Sequence, residues 1–225
     1  MTRLARQLDA TDCEFRQPDH PIDPIFVNRW SPRAFEAKAM QKSDLYTILE
    51  AARWAPSAYN IQPWRFIYAM RKSAHWGEFL NLLDPFNASW ARNASVLVFL
   101  VSDTLMPAHG SSSAKPSQTH SFDAGAAWAQ LALQATALGY QAHAMAGIHF
   151  DEIKQRLSVP DNYQVEIAVA IGRQTDPSGL PPALQEREKP SPRLPLEEIV
   201  FSERFAPKPT AGDSVPAVNA GEDER

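Results

Sequence analysis

Apolar side chains recur along this chain in two rhythms, every third or fourth residue and every second residue, and the switches between them mark out its elements. Leu45, Ile48, Leu49 and Ala52 fall at i, i+3, i+4 and i+7 and predict a helix, with Ser43 as its N-cap and Pro56 as its stop. WRFIYAM over 64–70 reads as a strand, and Ser73 then caps a second helix with Trp76, Phe79, Leu80 and Leu83 on one face. The run SVLVFLV at 95–101 has no polar side, which predicts a central strand buried on both faces. An alanine-rich helix is expected over 122–138, stopped by Gly139, and its small side chains allow close approach of other helices or of a second subunit. A short helix near 151–157 precedes VEIAVAIG at 165–172, where Val165, Ile167, Val169 and Ile171 alternate with Glu166, Ala168 and Ala170. The succession predicts an α+β fold, a central, mostly antiparallel sheet wrapped by helices.

Three stretches fall outside this pattern. Residues 1–24 carry Pro18, Pro21 and Pro24 among charges and are expected to form an extended arm, lying on the body or on a second subunit. Residues 206–225 have few large apolar groups, too few to offset the entropy of ordering, and are expected to be a disordered tail. The polar segment 103–120 has the length of a lid or of a mobile loop. With no internal repeat, and with 44% hydrophobic residues in 225, the remaining residues 25–205 are expected to form one domain around a core of its own or one shared between two copies.

Charge and motifs remove several classes of function. The 22 Lys+Arg against 26 Asp+Glu leave a formal charge of −4 at pH 7, so no broad basic face is expected for nucleic acid. A lone cysteine, Cys13, excludes an internal disulfide, a redox-active pair and a multi-cysteine zinc site, and fits a reducing cytoplasm. The N-terminus turns acidic before any apolar run develops, and no window approaches the roughly 18 apolar residues of a membrane span, so neither secretion nor a membrane is expected. The nine glycines spell neither GxGxxG nor GxxxxGK[ST], and GxSxG and HExxH are absent. His20, His75, His109, His120, His143 and His149 are scattered without metal-ligand spacing, so no metal is expected.

Two segments carry candidate chemistry. In NRWSPRAFE, 28–36, Arg29 and Arg33 flank Ser31 closely enough to converge on one phosphate, although a solvated basic loop explains the segment alone equally well. In ARWAPSAYNIQPWRF, 52–66, a proline-bounded turn presents Ser57, Asn60 and Gln62, uncharged groups that suit a flat heterocycle better than an ion; ordinary turn chemistry is the competing explanation.

Taken together, Arg29-Trp30-Ser31-Pro32-Arg33-Ala34-Phe35 and Ala55-Pro56-Ser57-Ala58-Tyr59-Asn60-Ile61-Gln62-Pro63-Trp64 resemble the R-x-S-x-R/K-x-F and A-P-S-x-x-N-x-Q-P-W segments of the nitroreductase-like FMN-dependent oxidoreductases. Weaker similarity runs through Asn93-Ala94-Ser95, Asp123-Ala124-Gly125, Met145-Ala146-Gly147 and Ile171-Gly172 to Arg193-Leu194-Pro195. The resemblance implies a homodimer with FMN at the subunit interface, NADH or NADPH as reductant, and ping-pong transfer of hydride to a small acceptor: a nitroaromatic, quinone, enone or flavin. It places Arg29, Trp30 and Ser31 against the phosphate and ribityl chain with Arg193, and Arg33 nearer the ring, where a fixed cation stabilises the charge that reduction leaves at N1 and the C2 carbonyl. It implies Pro56, Ser57, Ala58 and Asn60 along the isoalloxazine from the partner chain, Asn87 at the pyrimidine edge, and Ala146 with Gly147 near the reactive edge. Ser191 and Trp90 stand where the family often carries Lys. Trp54, Tyr59 and Trp90 are candidate walls of an acceptor pocket. A member specialised for reductive dehalogenation or oxidative ring chemistry, or a flavin-binding protein without turnover, would carry the same signature.

Overall fold

A computed structural model of the chain describes residues 16–106 and 113–206; the expectations for most of the arm, for the middle of the 103–120 loop and for all but the first residue of the tail, with Cys13 and His109, lie outside the described residues. The helices and strands follow in the order α1 (Pro24–Asn28), α2 (Lys42–Arg53), β1 (Trp64–Met70), α3 (Trp76–Asn81), α4 (Pro85–Ala91), β2 (Val96–Asp103), β3 (Leu105–Met106), β4 (Lys115–Pro116), α5 (His120–Ala137), β5 (Gln141–Met145), α6 (Phe150–Arg156), β6 (Tyr163–Gly172), α7 (Pro182–Gln185) and α8 (Leu196–Ile199). The chain up to Pro190 gathers into one unit; from Ser191 onward a second unit contains α8 and a Phe201–Phe205 ring contact at 4.7 Å. Among the described residues no helix is long and apolar enough to cross a membrane.

The first unit is built on a four-stranded antiparallel sheet, β1-β2-β6-β5. Because β2 is interior and helices cover both faces, its alternate side chains enter two different cores. Leu97, Phe99 and Val101 join Phe79, Trp90 and Ile153 on the side of α3, α4 and α6. Val96, Val98 and Leu100 join Leu45, Ile48, Ala52, Leu131 and Ala135 of α2 and α5 on the other. An uninterrupted apolar run is what a strand between two cores requires.

β6 departs from the expected alternation. Leu100 faces Ile167 but Val101 faces Val165, so Glu166 is bulged out of the ladder. The extra residue reverses the facing, and Val165 packs in the first core while Ile167, Val169 and Ile171 stay with the second. Ala168 and Ala170 are buried as well, because β6 is interior too.

The helix ends depart further from expectation than the helix faces do. α2 starts from Gln41, without a side-chain cap, and Ser43 lies in its first turn, where its carbonyl accepts from Thr47 Oγ1 at 3.0 Å. Buried Met40 has already turned the chain inward, and Gln41 O accepts from Asp44 and Leu45 N–H. Ser73 is likewise no cap: its carbonyl closes a turn onto Trp76 N–H at 3.2 Å and α3 starts after His75. Leu83 lies beyond α3 and bridges to Ile148. The 103–120 segment is partly zipped by the two-residue ladder of β3 and β4. α5 begins at His120, two residues before its expected start, and ends as expected: Gly139 takes φ 76°, and Gly139 and Tyr140 N–H return to Thr136 and Ala135 carbonyls at 2.9 Å each.

Candidate flavin site

The Arg29–Phe35 segment runs along one end of the sheet, stitched there by side chains and backbone from β5 and from the residues after β6. Trp30 N–H donates to Gln141 Oε1 at 3.4 Å and its indole Nε1 to Gln174 Oε1 at 3.1 Å. Phe35 forms a bridge with Gln174, and Glu36 N–H donates to Arg173 O at 2.8 Å. Arg29 leaves α1 as its C-cap residue and donates from Nη1 to Ser31 Oγ at 3.3 Å, so one guanidinium and one hydroxyl already converge. Arg33 turns inward instead. Its side chain keeps 16% of its exposure, stands 6.0 Å from the centre of the Trp90 ring, and faces Glu188 Oε2 at 4.0 Å. Burial pulls its guanidinium below the ordinary range, Arg187 adds to the effect, and Glu188 opposes it.

Helix α4 brings Asn87 and Trp90 to this segment. The hydrophobic pattern does not predict this helix, although Asp84-Pro85 is a start signal: Asp84 Oδ1 accepts from Asn87 N–H at 2.6 Å, and Pro85 occupies the first turn, where its missing N–H costs nothing. Asn87 Nδ2 then donates to Gly147 O at 3.1 Å, and Asp84 N–H reaches the same carbonyl at 3.1 Å. Asn87 and Gly147 are thus in direct contact, with Ala146 exposed beside them. Trp90 is 1% exposed, its ring centre 4.6 Å from that of His143 and 6.3 Å from that of Phe35 in tilted contacts, and this burial removes it from the candidate walls of an acceptor pocket.

His143 on β5 ties the two parts together. Its Nδ1 lies 2.9 Å from Pro32 O, which can only accept, so that nitrogen carries the proton. Burial pushes its pKa down to about 4, the positive charge of Arg33 adding to the effect and the Pro32 contact opposing it. The unfolded chain therefore binds a proton near pH 6.5 that the folded chain refuses until about 4. Stability present above pH 6.5 is lost as pH falls through this window, by about 3 kcal/mol at pH 4. His143→Gln keeps a donor for Pro32 O but cannot titrate, so urea unfolding between pH 7 and 4 should show a loss smaller by about that amount. Equal losses in the two proteins would mean that His143 takes up its proton at the same pH in the fold as in the unfolded chain.

The 56–60 turn lies elsewhere. Pro56, Tyr59 and Asn60 are exposed and Ser57 and Ala58 half-buried. Ser57 Oγ accepts from Gln62 N–H at 3.0 Å, while Tyr59, Asn60 and Gln62 all take positive φ, near 50°. Ala58 N–H is held by both oxygens of buried Asp123 on α5, at 3.3 Å each. A carboxylate in register with Ala127 and Leu131 on the buried face of an otherwise alanine-rich helix is a legible signal for such an anchor. Trp54, the C-cap residue of α2, is exposed, its Nε1 bonded to Glu50 at 2.9 Å.

Two rulers give the separation between these regions. The turn leads into Trp64, paired with Ser102, whereas the Arg29 segment adjoins the Gln141–Gly172 end, six residues along β1, or about 20 Å. Along α5 the turn is pinned at Asp123, and Trp30 meets Gln141 beside Thr136, thirteen residues on and again about 20 Å. One chain thus gathers Arg29, Trp30, Ser31 and Arg33 at the Gln141–Gly172 end, links them through Trp90 and α4 to Asn87 with Ala146 and Gly147 beyond the far end of β5, and holds Pro56, Ser57, Ala58 and Asn60 beside β1 and α5. Arg193 lies in the second unit, where its Nη1 donates to Pro192 O at 2.9 Å.

The model of the nitroreductase family matches residues 27–75 and 68–173. A solved structure described as an oxidoreductase containing FMN is 53% identical, superposes with a TM-score of 0.84, and covers 88% of this chain and 100% of its own. A protein of Rhodopseudomonas palustris whose name assigns it as an NADH dehydrogenase/NAD(P)H nitroreductase is 28% identical over 150 residues, 60% of this chain and 75% of its own. The CLA biosynthesis enone reductase of Lactiplantibacillus plantarum is 25% identical over 190 residues, 69% of this chain and 86% of its own.

Proposed function

This chain belongs to the nitroreductase family, and from that premise we propose that it binds FMN between two copies of itself and carries hydride from NADH or NADPH to a small acceptor by a ping-pong route. The observation that carries the proposal is where unsatisfied polar atoms collect. Among the described residues, buried side-chain atoms without a hydrogen-bond partner are Asn28 Nδ2, Arg33 Nε, Trp90 Nε1 and Glu188 Oε2, all on the 28–33 segment or on the residues packed against Arg33. Three are donors. Buried donors cost about 1–3 kcal/mol each when left unpaired, and a ligand rich in acceptors relieves that cost.

FMN fits this donor set. It has one phosphate and no adenylate half, so an arginine and a hydroxyl suffice where a dinucleotide would need a glycine-rich turn. Arg29, Trp30 and Ser31 would take the phosphate and ribityl end, Arg33 the N1 and C2 edge, Asn87 the pyrimidine, and Ala146 with Gly147 the reactive edge. Pro56, Ser57, Ala58 and Asn60 lie beside β1 and α5, at the other sheet edge from β5 and on the other face from α4, which supports reading them as contacts to the flavin of the other copy. When bound, the flavin supplies the hydride acceptor and donor. The chain's own residues bind, orient and polarise, and none acts as a nucleophile. Exposed Tyr59 on the donated turn is left to wall a planar acceptor, a nitroaromatic, quinone, enone or free flavin. The enone reductase and nitroreductase names of the relatives support the first and third of these classes.

The purified protein should be yellow, release FMN and not FAD on heating, and scatter light at about twice 25.1 kDa with the flavin co-eluting. Anaerobic NADH or NADPH should bleach it. Stoichiometric FAD, or a flavin-loaded monomer, would overturn the proposal.

A further inference from the structure

Glu188 has no place in the reading so far, yet its charged side chain is 1% exposed although it lies in the stretch Glu186-Arg187-Glu188-Lys189, whose other members are exposed. Its two oxygens do different things. Oε1 accepts from two successive backbone amides, Arg33 N–H at 2.6 Å and Ala34 N–H at 2.7 Å. Oε2 has no hydrogen-bond partner and faces Arg33 Nη1 from 4.0 Å, while Arg33 Nε is also unpaired. A carboxylate that meets only a guanidinium and two amides of the same residue pair is aimed at that residue. Ala34 is fixed from the far side too, its carbonyl accepting from Thr175 N–H at 3.0 Å, so the backbone that carries Arg33 is clamped on both sides.

We propose that Glu188 is the positioning residue for Arg33: one oxygen fixes the backbone of Arg33 and Ala34, and the other holds the guanidinium by charge alone, leaving its N–H groups for the flavin edge. This rests on the proposed contact between Arg33 and the flavin. A direct Arg–carboxylate fork would take two of the five N–H donors, and a neutral partner would let the three-carbon stem range over several rotamers. A carboxylate held just beyond hydrogen-bond reach restrains the cation and does neither.

The test uses Glu188→Gln in the full chain, because its amide oxygen can still accept from both backbone N–H groups while the charge is gone. In the apo protein, hydrogen exchange of the Arg33 and Ala34 amides should remain as slow as in the native chain, and in Glu188→Ala it should rise at least tenfold. In the FMN-loaded proteins, the change in flavin potential caused by Arg33→Gln should fall to less than half its native size when Glu188→Gln is already present. An undiminished change would overturn the restraint and leave Glu188 a backbone cap; a larger change would mean that it holds the cation away from the flavin, which also overturns the proposal. Slow amides in Glu188→Ala would overturn the clamp. If Arg33→Gln leaves the potential unmoved in the native background, the proposed flavin contact itself fails and the positioning role falls with it, while the apo amide exchange still reports on the clamp separately.

Discussion

Gly147→Ala should cost the chain about 1–3 kcal/mol of stability, the ordinary penalty of forcing a methyl into a packed site, and should lose most of the bound flavin. A β-carbon at this position would overlap Asp84 Oδ2 and stand 2.7 Å from Asn87 Nδ2. Neither atom is a free surface end. Asp84 caps α4 through Asn87 N–H, and Asn87 Nδ2 holds the Gly147 carbonyl, so moving either one uncaps the helix or breaks the link between α4 and the residues after β5. That link positions two of the proposed flavin contacts at once. Gly77→Ala is the matched control, because nothing lies within 4 Å of its β-carbon and it sits inside α3, where alanine should be neutral or gain up to about 1 kcal/mol. Urea unfolding and flavin content of the two variants separate a packing effect from a general intolerance of substitution. Equal stability would show that the approach of Gly147 to Asp84 is not a constraint.

How far such contacts can be read in advance depends on the distance over which they are encoded. The double burial of β2, the stop at Gly139 and the buried face of α2 rest on neighbours within a few residues, and the pattern of side chains displays them directly. The bulge at Glu166 does not: it is a mismatch between two strands, and the sequence of β6 alone keeps perfect alternation across it. Ser43 and Ser73 looked like caps because serine competes well for free amides, but the buried Met40 and the turn from Met70 set where the chain could start to coil. The Arg29–Arg33 and Pro56–Asn60 segments are compact in sequence and were legible as candidate ligand chemistry. Their placement at opposite ends of the sheet was not, since it depends on strand order. Glu188 is the extreme case: it lies 155 residues from Arg33 and is embedded in a run of charges that reads as solvated surface.

Arg29 and Arg33, four residues apart, should respond to the same substitution in opposite ways. Arg33→Gln should leave much of the FMN in place and lower the flavin's two-electron potential, because a cation beside N1 stabilises only the reduced, negatively charged form. A loss of roughly 1.4 kcal/mol of that stabilisation corresponds to about 30 mV for two electrons. Arg29→Gln should weaken FMN binding by about 1.5–3 kcal/mol, the scale of a hydrogen bond to a charged group, or roughly 10- to 150-fold in the dissociation constant. Its potential should stay nearly fixed, since the phosphate carries the same charge in both redox states and the contact cancels from the difference. Ser31 Oγ, 3.3 Å from Arg29 Nη1, remains to hold the phosphate, so binding should weaken without vanishing. Dissociation constants from fluorescence titration of the apo proteins, and potentials from equilibration with reference dyes, give both numbers for each variant. If Arg33→Gln sheds FMN while the retained fraction keeps the native potential, Arg33 belongs with Arg29 at the phosphate, and the orientation of the cofactor along the 29–33 segment is reversed or collapsed to one end.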